Sequence, residues 1–496
     1  MGSRRNKIQR NDSILQIELR TLHPNRQAVF GKFTLHFTSQ WSYLKLGLLF
    51  CCAILTSVQA VTEQSFLGAE RHLQISRLAT GVPLNSWKPL SKEQAQHLYD
   101  KANTYLERYQ KYHLPHGLNA DVVWSDSDRS KVEMYTGLGD SALWTGFYIA
   151  ALAFRYSEEP NAATLQDIHD ALDHIELLTE ISGRTGYVAR YAGPLEDPHY
   201  EPYYRVYGGG PSKFRTGLGR RAYQGAEPYE ELVWLGKSSR DTYDGMHFAF
   251  TTLWVYVDED TVRERVRFLV ERIGSRLSRD LFFAWDGYDR PTRPTYLWRL
   301  AWIKLMRTVH PEKFSSTWIR FQHRYSNFVF RIRSVPTLSV SAYRYYPNNL
   351  RMTRLFTLAM LEEHPRRKKR YLATLRNMYQ DELQSHLNAH FAAIYLLVTG
   401  NEDLSAIATL HNVLLDFPDE KWLSEIDHRE QYQEWLVNER HAGIALIPSK
   451  RVHSDFIWQR APGHLYGGRD EHIEYPGIDM FLPYWMGRVA GVIDPP

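Results

Sequence analysis

Residues 239–257 read Ser-Arg-Asp-Thr-Tyr-Asp-Gly-Met-His-Phe-Ala-Phe-Thr-Thr-Leu-Trp-Val-Tyr-Val. This stretch limits the possible folds more than any other. After a polar opening turn it is apolar on every face of a helix. Such a helix offers no face to water and must be surrounded by protein on all sides. Only a chain that supplies a shell of further elements around it can fold. Yet the opening turns carry Arg240, Asp241, Asp244 and His247. Carboxylates are stabilised by the dipole at a helix start, so one reading makes these aspartates caps. The other sets the polar end of a buried helix against a cleft.

The rest of the chain repeats the pattern. Ser91 opens a segment whose Leu98, Ala102, Tyr105, Leu106 and Tyr109 recur at helical spacing on one face, which predicts an amphipathic helix. A loop follows. Then Asp140, Ser141 and Trp144 begin a second helix that stays apolar to Phe154. Leu165, Ile168, Leu172 and Ile175 mark the next amphipathic helix, and 239–257 the next buried one. Val262 to Ile273 is amphipathic and 295–302 buried. Residues 312–330 are amphipathic and 348–361 more apolar. Residues 364–383 are basic and amphipathic, and 392–398 short and apolar. Leu404 to Leu414 gives a last amphipathic face, and 475–486 a last apolar segment. Six amphipathic helices thus alternate with six apolar ones. The period varies from about forty to a hundred residues, too irregular for an open solenoid. It suits a closed double ring with insertions at one end.

Charge and cysteine content narrow the function. Residues 1–60 hold eight Lys/Arg and two Asp/Glu, whereas the remainder holds 52 and 54. A near-neutral body argues against general nucleic-acid binding. Cys51 and Cys52 are the only cysteines, so thiol and disulfide chemistry is absent from the body. Both fall in the apolar run of 44–58. Lys45 precedes its core, and Val58-Gln59-Ala60 follows as a cleavage candidate, a pattern similar to a secretory signal peptide. The segment 44–60 is therefore expected to direct the chain to a secreted or periplasmic location. An uncleaved membrane anchor is the alternative, and would be the only contact with a membrane. Residues 1–43 are expected to be a polar, basic extension without structure, 61–90 a linker, and 91–496 one helical domain.

On the count of helix pairs and the small or acidic residues that open the apolar helices, residues 91–491 resemble the (α/α)6 toroid of six-hairpin glycosidases and related polysaccharide lyases. The resemblance implies an all-α fold with outer amphipathic and inner apolar helices around a cavity, and a carbohydrate substrate. No short motif assigns the chain to one family.

Glycoside hydrolysis needs two carboxyl groups in different protonation states. Asp140, Asp241, Asp244 and Asp479 open inner helices. Asp241, beside Arg240, is expected to be the ionised partner, and Asp140, facing Trp144 one turn on, the acid. His472 adds a candidate acid/base group, with Glu471 next to it. The insertion 186–234 is a long loop or hairpin rich in aromatic and basic residues, among them Arg190 and Tyr207. It reads either as a lid that grips an acidic sugar or as a hairpin on the ring's rim. Trp285 is a candidate subsite wall, and Trp144, Tyr243, His247 and His390 complete the expected substrate contacts. A lyase or epimerase acting on uronic acids would need a base such as His386, His390 or Tyr243. A non-catalytic toroid that binds glycan or protein is the third reading. Neither a cofactor nor a metal is expected, because His464, Asp470 and His472 lack a recognised ligand spacing.

Overall fold

A computed structural model describes residues 15–22, 28–35, 78–79 and 89–496, the last with breaks at 127, 195, 200–213, 216–220, 286–290, 333–345, 420–426, 439–440, 443, 452–462 and 467–471. The chain divides into two compact units, Met1–His72 and Leu73–Pro496.

In the first unit β1 (Leu15–Leu22) pairs antiparallel with β2 (Ala28–Leu35), Leu15 opposite Leu35 and Leu22 opposite Ala28. These strands lie within the segment 1–43 that was expected to be an extension without structure. Leu15, Ile17 and Leu19 alternate with Gln16, Glu18 and Arg20, the period of a strand. The segment 44–60 lies outside the described residues.

The second unit contains twelve α-helices among its described residues. In chain order the first six are α1 (Lys92–Tyr112), α2 (Ser141–Glu158), α3 (Ala162–Glu180), α4 (Arg240–Tyr256), α5 (Asp260–Arg279) and α6 (Tyr296–Val309). The others are α7 (Thr317–Ile332), α8 (Tyr346–Leu361), α9 (Pro365–Met378), α10 (Ala389–Thr399), α11 (Leu404–Asp416) and α12 (Ile478–Val489). Each coincides with a segment that the sequence marks as amphipathic or as an apolar run.

The odd-numbered helices bury one face. On α1 the buried face is led by Leu98, Ala102, Tyr105, Leu106 and Tyr109, and Ser91 closes its start in a capping box with Gln94 that satisfies two free backbone amides. The even-numbered helices are enclosed along most of their length. Every residue from Ser141 to Phe154 is buried, as is every residue from Thr242 to Leu253 and from Ile478 to Arg488. These inner helices pack on one another in chain order, α2 on α4, α4 on α6, α6 on α8, α8 on α10 and α10 on α12. Finally α12 packs on α2. The odd-numbered helices lean on their outside, α5 between α4 and α6, α9 between α8 and α10, and α11 between α10 and α12.

The tightest crossing in the core is α2 on α4. A Cβ built on Gly146 would stand 2.3 Å from the carbonyl oxygen of Gly245, and one on Gly245 would stand 2.4 Å from that of Leu143. Two glycines facing each other let the backbones approach closer than any side chain permits.

Short strands occupy the connections. Ile473–Glu474, Asp121–Trp124 and Val132–Thr136 form a three-stranded sheet with Asp121–Trp124 in the centre. The insertion after α3 supplies β3 (Tyr191–Pro194), β4 (Phe214–Arg215), β5 (Arg221–Gln224) and β6 (Leu232–Leu235), in the antiparallel order β3-β6-β5-β4. Within 186–234 the described strands form a small sheet, as the hairpin reading expects. Tyr187, Tyr191 and Trp234 are buried within it, and Tyr223 stacks on Trp234 at 4.8 Å. Aromatic residues read from sequence as sugar platforms are here part of the core. In the expected linker 61–90, Leu78–Ala79 pairs in parallel with Ile444–Ala445.

Candidate active site

The starts of α2, α4, α6 and α8 meet. Trp298 of α6 donates its indole N–H to the carbonyl of Arg240 at 3.1 Å. Thr292, ahead of α6, donates to the carbonyl of Ser238 at 3.2 Å, and Arg240 donates to that of Arg293 at 3.2 Å. The charges of Asp140, on α2, and of Asp241, on α4, both act on Tyr346, the first residue of α8. Four helix starts therefore bring their polar residues to one place.

The reading of these aspartates as caps does not hold. Asp140 stands at the N-cap of α2 but makes no side-chain cap bond, and the N-cap of α4 is Ser239. Asp140 instead receives the Arg190 guanidinium at 3.3 Å, and its side chain is 29 % exposed. Arg190 is buried. It also donates to the carbonyls of Gly139 and of Lys237, the latter at 2.9 Å. A cation held by two carbonyls and one carboxylate ties the turn before α2 to the segment before α4.

Asp244 is fully buried. Arg354, from α8, grips both of its oxygens, one at 2.8 Å, and His247 Nε2 donates to Oδ1 at 2.8 Å. Burial alone would raise the Asp244 carboxyl, but the charge of Arg354 and the hydrogen bonds of His247 and Arg354 bring it below the usual range. Burial holds the His247 imidazole below its ordinary value against the pull of Asp244. A neutral imidazole that gives its Nε2 proton to the carboxylate presents Nδ1 as an acceptor, and the Thr357 hydroxyl lies 3.0 Å from it. This chain of groups is closed on itself. Both oxygens of Asp244, expected to be catalytic, are occupied, and no solvent reaches them.

Asp241 keeps part of its surface open. Burial, and then the adjoining charge of Asp244, push its carboxyl above the usual range, while Arg354 and Arg190 oppose the shift and Asp140 adds to it. The arginine paired with an aspartate is therefore Arg190 on Asp140, not Arg240 on Asp241. Sequence proximity misled here because Arg240 turns its guanidinium toward Arg293. Burial, and then the charges of Asp241 and Asp140, also raise the Tyr346 phenol.

Other expected site residues lie elsewhere. Trp144 is buried edge-to-face against Phe147. Tyr243 is buried between Trp298 and Trp302 and its hydroxyl accepts from the Val188 amide at 3.2 Å. His390 is buried beside Phe147 and Phe248, where burial lowers its pKa to about 3. Trp285 is 38 % exposed with Arg184 at 6.0 Å from its ring centre. Asp479 is buried in the first turn of α12, where its charge acts on Tyr105. His472 is half-buried next to the strand Ile473–Glu474, and its carbonyl accepts from the Trp124 amide at 2.9 Å. Tyr207 and Glu471 fall outside the described residues.

Glu474, a further acid/base candidate, is a buried anchor. Arg108 binds both of its oxygens at 2.5 and 2.6 Å, Trp124 donates at 2.9 Å and His113 lies at 3.2 Å. Sequence reasoning also missed Arg354 and Tyr346. The signal for Arg354 was present: an arginine flanked by Leu355, Phe356 and Leu358 in a mostly buried helix requires a buried partner. Among the described residues, no group of three or more His, Cys, Asp or Glu side chains is placed to hold a metal ion. No helix among them is long and apolar enough to cross a membrane. Comparison with protein-family models, curated proteins and solved structures finds no match.

Proposed function

We propose that this protein is an exported glycoside hydrolase built as an (α/α)6 toroid, with Asp241 as general acid and Asp140 as base or nucleophile. The return of the inner-helix contacts from α12 to α2 supports the toroid. One observation carries the activity. At the junction of inner-helix starts, two carboxyl groups remain partly open, and burial together with the charge of Asp244 raises the pKa of one of them, Asp241. Such a pair supplies the acid and the base that cleavage of a glycosidic bond requires. Arg190 fixes Asp140, and Asp244 with Arg354 sets the field around Asp241. Tyr346, a proton donor at the same mouth, suits a hydrogen bond to a sugar hydroxyl. Export rests on the apolar run 44–58 with Lys45 at its start and Val58-Gln59-Ala60 at its end. The placement of Tyr243 and His390 in the core speaks against either as a lyase base.

The test is release of reducing ends from a panel of neutral and acidic polysaccharides, with ultraviolet absorbance read in parallel. Removal of a general acid costs about 10²–10⁴-fold. Asp241→Asn should show that loss on natural linkages and recover on aryl glycosides whose leaving group needs no proton. Asp140→Asn should be inactive on both. Rising absorbance from an unsaturated uronate would mean elimination and refute the assignment. Unchanged turnover in either variant would also refute it.

A further inference from the structure

Outer helix α7 has two different apolar faces. Ile319, Gln322, Ser326 and Phe330 point inward and are buried. On the other side Trp318, Phe321, Tyr325, Phe328 and Ile332 follow one another at helical spacing and are 41, 56, 41, 52 and 48 % exposed. Trp318 stacks on Phe321 at 6.0 Å and Phe321 on Tyr325 at 6.4 Å, so the side chains form one continuous ridge. Scattered exposed hydrophobic residues need no explanation, but a contiguous aromatic surface marks an interaction site. The inner face already accounts for the packing of this helix on α6.

The surroundings of the ridge are basic. Neither α7 nor α9 contains an acidic residue. The two helices touch at Tyr371, which donates to Asn327 at 2.7 Å and packs edge-on to Phe330 at 5.1 Å. Arg366, Lys368, Lys369 and Arg376 of α9 are exposed. On the ridge itself Arg299 lies over Tyr325 and Arg331 over Phe328, at 5.3 and 6.0 Å. This concentration of positive charge occurs on a body that is close to neutral as a whole.

Charge decides between occupants. A second copy would bring the same cations face to face across a symmetric interface, where like charges oppose association. An acidic peptide would match the charge, but a peptide is normally held in a groove, and this surface is the convex side of a helix. A bilayer surface accepts a convex apolar ridge by parting its headgroups. Trp and Tyr favour that depth, and anionic lipids attract the flanking Lys and Arg. We infer that the α7 ridge, with the basic face of α9, docks the protein on an anionic membrane surface without crossing it. This inference does not depend on the proposed catalytic role.

The experiment is co-sedimentation of the full chain with vesicles of phosphatidylcholine alone or mixed with phosphatidylserine. The variants are Phe321→Ser/Phe328→Ser and Arg366→Glu/Lys368→Glu/Lys369→Glu, each checked for an unchanged melting temperature. The wild type should bind the phosphatidylserine vesicles only, and release at high salt. The serine variant should lose binding at least about tenfold as two aromatic anchors leave the interface. The charge variant should lose on the order of a hundredfold, since each cation near the surface contributes about fivefold. Absence of binding to phosphatidylserine vesicles overturns the inference. So does equal binding by both variants, which would place the contact elsewhere in the chain. Binding to a soluble polyanion such as heparin without vesicle binding also overturns it. A dimer by light scattering that the serine variant dissociates, with no vesicle binding, would make a second copy the occupant.

Discussion

Replacing Arg354 with Met examines the closed chain of groups under the candidate site. The methionine fills a similar volume but leaves the Asp244 carboxylate, fully buried, with His247 as its remaining partner in the chain. Removing one member of a buried ion pair costs about 3–5 kcal/mol, most of it the penalty for the uncompensated charge. The unfolding entropy of a unit this size is about 0.9 kcal/mol/K at roughly 2.1 cal/mol/K per residue, so the melting temperature should fall by about 3–6 °C. The pH dependence follows from the signs. In the wild type the folded-state carboxyl of Asp244 is depressed. Its contribution is therefore present above the unfolded-state pKa and lost as pH falls through the folded one. In Arg354→Met the shift reverses, because burial now acts without the opposing cation. The variant takes up a proton on Asp244 that the wild type does not. Its deficit should be greatest at neutral pH and shrink as pH falls toward 5. Calorimetry across that range on wild type, Arg354→Met and the double variant Asp244→Leu/Arg354→Met reads all of this, and the double variant should recover most of the loss. A deficit below about 1 kcal/mol at neutral pH, within the range of a surface pair, would refute the reasoning, as would a deficit independent of pH.

Two further predictions concern the core. Gly146→Ala places a methyl 2.3 Å from the Gly245 carbonyl oxygen and must push α2 from α4; overpacking of this kind costs about 1–3 kcal/mol, read as a lower melting temperature. His390 is buried with a pKa of about 3 against an ordinary 6.5, so folding opposes its protonation and the wild type loses stability as pH falls below about 6.5. His390→Leu should lose less stability between neutral pH and pH 4.5 in the same calorimetric series, and equal slopes for the two proteins would contradict the neutral, apolar setting.

All twelve helices were legible because their signal is local. A period of 3.6 residues in α1 or α5, or an apolar run as in α2 and α12, is present whatever the chain folds against. The β1–β2 hairpin carries an equally local signal in its alternation of apolar and polar residues. Asp140, Asp241 and Asp244 were singled out at helix starts, because buried helices can keep polar residues only where their ends emerge; Arg190, read as part of the insertion, joins Asp140 only in the folded structure.

The amino-acid sequence by itself determined which segments are helical, which are enclosed, and that aspartates and arginines collect where inner helices begin. Tertiary structure alone decided what each of those groups does. Asp241 and Asp244 are three residues apart on the same helix, yet Arg354, more than a hundred positions away, takes one and leaves the other. Tyr243 and His390 are as polar in sequence as any site residue, and packing against Trp298, Trp302, Phe147 and Phe248 makes them core. The physical reason is the same in each case. Periodicity is a property of neighbours along the chain, whereas a carboxyl's proton affinity is set by charges and burial within a few ångströms in space, and those come from helices far apart in sequence.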